Sequence, residues 1–224
     1  MDSKKLNSYT GGRGDVISCI PTEAMSILDV GCSNGALGQE LRKEDPNRCV
    51  MGIEYNSDFC NEAKSRLDSV IQADINNFDW IEHYEREIFD CIIFADVLEH
   101  LHDPWSVLSD AVACLTSKGT TVISIPNIRH ITALYSIYFQ GSFPKRSRGI
   151  FDNTHLRWFT LSDGIQLCEQ AGLQVESIIS RPRIFDSPNS RINTFVDKHC
   201  NQITSLRPIR EFLAYQFILV ARKN

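Results

Sequence analysis

Residues 27–38, ILDVGCSNGALG, set glycines at 31, 35 and 38 directly behind an apolar run, a G-x-x-x-G-x-x-G spacing. An apolar strand that breaks into a glycine turn and leaves it as a helix is the stretch that most restricts this chain. Gly31 and Gly35 let the backbone turn tightly and approach a ligand with no Cβ in the way. The helix that starts near Ala36 offers unsatisfied backbone N–H groups at its first turn. The same alternation continues to residue 126. SILDV (26–30), VMGIE (50–54), VIQAD (70–74), DCIIFAD (90–96) and TTVISIP (120–126) read as strands. Their unbroken apolar character suits parallel strands covered on both faces. Residues 36–44, 57–67 and 104–116 read as helices between them, the last opening at Pro104. Alternating β and α units of this length predict a doubly wound α/β sheet, Rossmann-like and mostly parallel.

Two ligand classes compete for such a turn. A dinucleotide fold shows G-x-G-x-x-G, which brings a pyrophosphate onto the helix N-terminus. Here Cys32, Ser33 and Asn34 separate the first two glycines, so that spacing is not met. A methionine tail carries an ammonium as well as a carboxylate, and Asp29 beside the turn fits it better than it fits a pyrophosphate. The departure favours S-adenosylmethionine over a nicotinamide dinucleotide. Glu54 ends the second strand, where a carboxylate accepts hydrogen bonds from both ribose hydroxyls. Asp74 ends the third strand, placed to accept from an adenine amino group while Ile75 packs on the ring. The bland readings are a surface carboxylate for Glu54 and a helix cap for Asp74.

At 224 residues the chain is expected to form one domain with a full core. A formal net charge of −5 argues against non-specific binding to nucleic acid or an anionic membrane. The eight cysteines include no C-x-x-C pair and several sit in apolar runs, so buried thiols in a reducing compartment are expected, and no zinc site. No stretch approaches the roughly 20 apolar residues of a membrane span, and the N-terminus has no apolar signal segment. A cytoplasmic protein with no membrane span is the expectation.

The segment FDCIIFADVLEHLHDP (89–104) ends a fourth strand at Ala95 and Asp96 and continues as a loop at the carboxyl edge, where open α/β sheets bind ligands. With LDVGCSNG, Glu54 and the Ala73-Asp74-Ile75 step, it resembles the class I S-adenosylmethionine-dependent methyltransferases. The branch is the one holding ubiquinone-biosynthesis O-methyltransferases and the methionine-biosynthesis W protein. That resemblance covers residues 26–126. It implies a seven-stranded sheet with an antiparallel final strand. It also implies a cofactor pocket lined by Asp29, Gly31, Ser33, Gly35, Glu54, Tyr55, Asp74 and Ile75 and completed around Ala95, Asp96 and Val97. The family often has Gly where this chain has Ser33; serine changes little if the backbone there keeps negative φ. Residues 1–25 are expected to cover the cofactor, with Tyr9 closing over it and Arg13 pairing with its carboxylate. His100, His102 and Asp103 have the look of metal ligands, but are read as loop and helix-start residues, and no metal is expected.

After Pro126 the pattern changes. Residues 127–160 are rich in aromatic and basic residues and read as a substrate lid, with a helix near 129–139. T-L-S-D at 160–163 starts a helix over 161–171 that stops at Gly172. LQVESIIS (173–180) and AYQFILVA (214–221) read as two more strands, able to form an antiparallel edge, joined by a polar connection over 181–210. IPNIRH and GIFDNTHLRWFT resemble a polysaccharide-associated subset of the same branch. His155 is the candidate base, oriented by Asp152 or Asp96; its competing reading is a histidine that fixes the lid. Asn127, Arg146, Arg148 and Arg157 are candidates for holding the acceptor. A cluster of guanidinium groups in an acidic chain fits an anionic acceptor, such as a phosphorylated or nucleotide-linked sugar. Most of the lid aromatics (Tyr135, Tyr138, Phe139, Phe143, Phe151, Trp158, Phe159) are expected to pack in the core or lid.

The expected function is therefore methyl transfer to a small hydroxylated metabolite, O-methylation being favoured. The alternative is a non-catalytic S-adenosylmethionine-binding partner that activates a biosynthetic enzyme. A nucleic-acid methyltransferase needs a base-flipping pocket and an Asn/Asp-Pro-Pro-aromatic stretch after strand four, which ADVLEHL lacks. A homodimer is compatible with the sequence, which leaves the oligomeric state open.

Overall fold

The computed structural model describes residues 13–182 and 207–223. In chain order the elements are α1 (Gly14–Ile17), β1 (Ser26–Val30), α2 (Ala36–Glu44), β2 (Cys49–Glu54), α3 (Ser57–Ala63), β3 (Ser69–Gln72), α4 (Trp80–His83), β4 (Phe89–Ala95) and α5 (Pro104–Ala113). They continue with β5 (Leu115–Pro126), α6 (Ile131–Leu134), α7 (Leu161–Gln170), β6 (Leu173–Pro182), α8 (Arg207–Leu213) and β7 (Ala214–Lys223). The seven strands form one sheet in the order β3-β2-β1-β4-β5-β7-β6. The first five pair parallel. β7 runs antiparallel to both β5 and β6. The antiparallel final strand expected from the sequence is present, but it lies inside the sheet, and β6 is the edge.

Successive side chains of a strand point to opposite faces, so each continuous apolar run feeds two cores. Leu28, Val30, Ile92 and Phe94 join Leu108, Val112 and Leu167 on the face covered by α5 and α7. Ile27, Cys91, Ile93 and Val122 join Val16, Leu37 and Leu41 on the face covered by α1 and α2. Helix starts follow local chemistry. Asn56 accepts from Asp58 N and Phe59 N at the start of α3, and Asp103 accepts from Ser106 N ahead of Pro104. Thr160 and Asp163 form a reciprocal capping box on α7, as T-L-S-D predicts.

Several segments depart from the pattern reading. The expected 57–67 helix stops at Ala63, and the expected 70–74 strand ends at Gln72, so Asp74 caps the next turn and does not end β3. The expected 104–116 helix stops at Ala113, and residues 115–119 instead lengthen β5. The expected 129–139 helix is one α turn followed by a π-helical turn over Tyr135–Phe139. Between β3 and β4, a 3₁₀ turn (Ile75–Asn77) and α4 arise at Asp74 and Asp79, each accepting from backbone amides two or three residues on. Local side-chain capping made these short turns; no hydrophobic period announces them. All seven cysteines among the described residues are free thiols, and no helix there is long and apolar enough to cross a membrane.

Candidate active site

Strand order reverses at β1, which sends its crossovers to opposite sides and opens a crevice at the carboxyl ends of β1 and β4. The glycine turn lies on one wall. Gly31 has φ +71° and Gly35 φ +76°. A Cβ on Gly31 would lie 2.6 Å from Val97 Cγ2, so the turn after β1 and the loop after β4 touch through a position only glycine fills. Gly31 N and Cys32 N donate to Ile53 O at 2.8 and 3.0 Å. Ser33 N donates to Glu54 Oε2 and Asn56 N to Glu54 Oε1, both at 2.8 Å. Glu54 thus clamps the turn to β2 while its carboxylate stays half-buried at the crevice. Ser33 has φ +48°, so the condition of negative φ does not hold. A serine in the left-handed region costs about 1–2 kcal/mol, and the Glu54 clamp keeps it there. Its Oγ is buried without a hydrogen-bond partner among the described residues.

Asp29 sits under the turn at 2% exposure. Burial, then the Glu54 charge, push its carboxyl up to about 7, against the pull of Arg13. Burial also raises Glu54 above the usual carboxylate range. Two acidic groups held this way are stabilised by a ligand that brings positive charge and hydroxyl donors. Tyr55 is 73% exposed beyond the strand end. Asp74 accepts from Asn76 N at 3.0 Å, so the helix-cap reading is met, with Ile75 half-buried beside it. Tyr9 lies outside the described residues.

Asp96 directly follows β4 instead of ending it as the sequence suggested, and has φ +60°, an uncommon conformation for a side-chain-bearing residue. Its carboxylate receives Arg13 Nη1 and Gln216 Nε2, and Ser124 Oγ at 3.3 Å. Arg13 also donates to Asp15 Oδ1 and Ser124 Oγ, both at 2.9 Å. Burial disfavours the guanidinium charge, but Asp96 and Asp15 outweigh it and hold Arg13 firmly cationic. In this arrangement Arg13 is committed to protein carboxylates. Gln216, a lone polar residue in the apolar run AYQFILVA, carried a signal that pattern reading passed over.

Beyond Asp96 the loop turns through Leu98–His100. Glu99 is 1% exposed, and neither carboxylate oxygen has a hydrogen-bond partner among the described residues. His155 Nε2 lies 4.0 Å from Glu99 Oε1, and the His100 and His155 rings meet edge to face at 4.7 Å. Burial lowers both histidines below their usual range, in His155 reinforced by His100. It drives the Glu99 carboxyl well upward, with the Asp96 charge adding to the shift. The structure gives neither carboxylate expected beside His155 a hydrogen bond to its ring. Asp152 Oδ1 accepts from Thr154 N at 2.9 Å and Thr154 Oγ1 at 2.6 Å, and Asp96 faces Arg13. Glu99, which the sequence reading did not single out, lies near the ring at 4.0 Å without a hydrogen bond to it. His102 and Asp103 are loop and helix-start residues: His102 N donates to Asn76 Oδ1 at 2.9 Å and Asp103 caps α5.

The acceptor candidates separate. Asn127 is fully buried; its Nδ2 donates to Glu211 O at 2.6 Å and Ala214 O at 2.7 Å, while its Oδ1 accepts from Arg129 N at 3.0 Å. Its polar atoms join the end of β5 to the entry of β7. Arg157 Nη2 donates to His102 O at 2.5 Å and ties the lid segment to the loop after β4. Arg146 and Arg148 are exposed, Arg146 lying 5.9 Å above the Phe151 ring. Of the seven lid aromatics only Phe151 and Phe159 are buried. Tyr138 and Phe139 are 83% and 82% exposed on the π turn, against the expectation of packing.

Residues 15–199 match the family described as Methionine biosynthesis protein MetW. The chain belongs to the MetW family. A ubiquinone biosynthesis O-methyltransferase of Hydrogenovibrio crunogenus is 26% identical over 179 residues, 73% of this chain and 71% of that protein. A malonyl-(acyl-carrier protein) O-methyltransferase of Priestia megaterium is 26% identical over 155 residues, 66% of this chain and 54% of that protein. An S-adenosylmethionine-dependent methyltransferase from Archaeoglobus fulgidus shares the fold with a TM-score of 0.66 at 18% identity, covering 99% of this chain and 100% of that one. The MetW-family chain is a class I S-adenosylmethionine-dependent methyltransferase, an enzyme of the EC 2.1.1 type, and S-adenosylmethionine is its methyl donor. The crevice fits that cofactor on its own geometry. The close approach at Gly31, the buried Ser33 Oγ without a partner among the described residues and the electrostatically linked acidic pair Asp29 and Glu54 belong to the turn and to the strands on either side of it.

Proposed function

We propose that this MetW-family enzyme methylates a hydroxyl of a small, anionic metabolite, a phosphorylated or nucleotide-linked saccharide intermediate being the class the lid chemistry fits best. Asp29 and the 31–35 turn would hold the methionine end of the cofactor, Glu54 and Tyr55 the ribose, and Asp74 with Ile75 the adenine. Ala95, Asp96 and Val97 would close the pocket from the β4 side. Bound S-adenosylmethionine supplies an electrophilic methyl group with a neutral thioether as leaving group. The protein's own share is to align the acceptor and remove its proton.

The observation that carries the base assignment is the set of hydrogen bonds around His155. Its Nδ1 lies 3.1 Å from Ile150 O, a carbonyl that also accepts from Trp158 Nε1 at 3.0 Å. A carbonyl accepts only, so Nδ1 carries the proton and the neutral ring keeps its lone pair on Nε2. Burial keeps that ring neutral. His155 Nε2 therefore takes the proton that the hydroxyl sheds, and Glu99 Oε1 at 4.0 Å steadies the imidazolium formed. Residues 127–160 act as the acceptor lid, with the exposed Arg146 and Arg148 meeting acceptor anions and Arg157 anchoring the lid. The deciding experiment screens anionic and neutral acceptors for release of S-adenosylhomocysteine. Turnover confined to acceptors without a hydroxyl would overturn the O-methyl reading, and equal turnover of neutral analogues would overturn the anionic one.

A further inference from the structure

The Glu99, His100 and His155 side chains converge in a way that no assignment above uses in full. One donor atom from each lies within 4.8 Å of the other two. His100 Nδ1 lies 3.2 Å from Thr154 O, and His155 Nδ1 lies 3.1 Å from Ile150 O. Both partners are backbone carbonyls of one lid segment, so both rings carry the proton on Nδ1 and present Nε2 as a bare lone pair. This is the arrangement found behind metal-ligating histidines, whose second nitrogen donates to a carbonyl and fixes ring and tautomer. The third group is a carboxyl at 1% exposure whose two oxygens have no hydrogen-bond partner among the described residues. As the neutral acid this carboxyl is tolerated there; ionised, it costs several kcal/mol unless a cation shared with the two Nε2 lone pairs offsets it.

We infer that Glu99, His100 and His155 bind one divalent first-row transition-metal ion, of the zinc class, through one carboxylate oxygen and two Nε2 atoms. The donor set is two imidazoles and a carboxylate, borderline ligands that suit such ions and not the all-oxygen shells of calcium or magnesium. A tetrahedral site with ligands near 2.1 Å has donors roughly 3.4 Å apart. The present 4.0 Å between Glu99 Oε1 and His155 Nε2 closes to that by small side-chain rotations. Three protein ligands leave at least one position for a water or an oxygen of the acceptor. The inference goes beyond the methyl-transfer reading and is separable from it. Ion and proton compete for the same Nε2 lone pair, so a loaded site withdraws His155 from acting as a free base and gives a bound hydroxyl the ion as its acid-strengthening partner.

The test uses the whole protein stripped with chelator and titrated with Zn²⁺ by calorimetry and with Co²⁺ by visible absorption. One ion per chain is expected, with the intense visible bands of a four- or five-coordinate cobalt site. Glu99→Gln, His100→Ala and His155→Ala should each weaken binding on the order of 100-fold, while His102→Ala leaves it unchanged. S-adenosylhomocysteine binding, measured on the same samples, reports whether the cofactor half is folded and keeps a failure of the metal site distinct from a failure of the methyltransferase reading. No saturable binding by the wild type, or binding that survives all three substitutions, overturns the inference. Should a variant lose cofactor binding as well, the wild-type cobalt spectrum decides: only the weak bands of the octahedral aqua ion would overturn it.

Discussion

At the carboxyl end of β1, the amides of Gly31, Cys32, Ser33 and Gly35 are all taken, by Ile53, Glu54 and Cys32. Beyond the end of β4, Asp96 has three partners while the Glu99 carboxylate has no hydrogen bond among the described residues. The turn proposed to hold the cofactor is thus braced through its own backbone, which fixes its shape. The wall proposed for the acceptor brings together side chains of two segments remote in sequence, 96–100 and 150–157. Preorganised backbone suits a donor that never changes; convergent side chains suit chemistry on an acceptor that differs between enzymes of one fold. The difference teaches where each kind of substitution should bite.

The largest effect is expected at the backbone-built wall. Gly31→Val combines a left-handed φ with a Cβ 2.6 Å from Val97 Cγ2, and should abolish measurable S-adenosylhomocysteine binding in calorimetry. Gly141→Ala, also at positive φ but with nothing within 4 Å, serves as the strain-only control and should leave binding intact. If both variants bind alike, the close approach at Gly31 has no part in the site. On the other wall, His155→Ala should keep cofactor affinity and lower turnover by about 100-fold or more, the usual share of a general base. Unchanged turnover with an accepted substrate would remove His155 from the mechanism.

Asn127 sharpens the contrast from a third side, since its two donor protons meet two main-chain carbonyls. Asn127→Ala orphans both, and should lower unfolding stability by about 2–4 kcal/mol with the acceptor KM unchanged; a raised KM without loss of stability would restore it to substrate binding. A smaller effect follows from Asp29. Its folded-state value, pushed up to about 7, means that it takes up a proton as pH falls through neutrality. Cofactor affinity should then weaken about tenfold between pH 8 and pH 6, and the slope should vanish in Asp29→Asn. Stability has the opposite sign, because between the unfolded and folded values the native state keeps a proton that the unfolded chain has shed. The Asp29 contribution to apo-protein stability therefore falls as pH rises from about 4 to 7. Reversing the charge of Arg146 and Arg148 together is the mildest test, raising KM for an anionic acceptor several-fold and leaving kcat alone.

The strands β1, β2, β4 and β5 were legible because parallel strands covered on both faces leave continuous apolar runs, and the glycine turn because its spacing carries its own geometry; β3, a half-exposed edge, stops at Gln72, two residues short of Asp74. Ser33 was the one position of that turn that misled, since its φ depends on the Glu54 clamp from another strand. The acceptor wall was legible only in fragments. His155 stood out by its residue type, but Glu99 gains its meaning from a segment more than fifty residues away, and VLEHLHDP offers no sign that this carboxylate is buried. Asp152 looked like a partner because it is near in sequence; an Asx-type turn onto Thr154 claimed it instead. The place of β7 was readable as antiparallel but not as interior, because pairing order is decided by edges and not by any one strand's composition.

That interior place has a consequence for how the protein is made. β7 supplies the hydrogen-bonding neighbour of both β5 and β6, and Lys223 Nζ reaches back to Leu115 O at 2.7 Å. Roughly a hundred residues separate the end of β5 from the end of β7, about 5–20 s of ribosomal synthesis. Through that interval the nascent chain carries an open β5 edge, its residues 119–125 buried in the finished fold, beside a nearly finished parallel sheet, a template for mispairing with a neighbouring chain. Of the seven strands in this sheet the latest in sequence is the one that locks it, so a product stalled or clipped before β7 should be aggregation-prone while already holding every residue of the glycine turn.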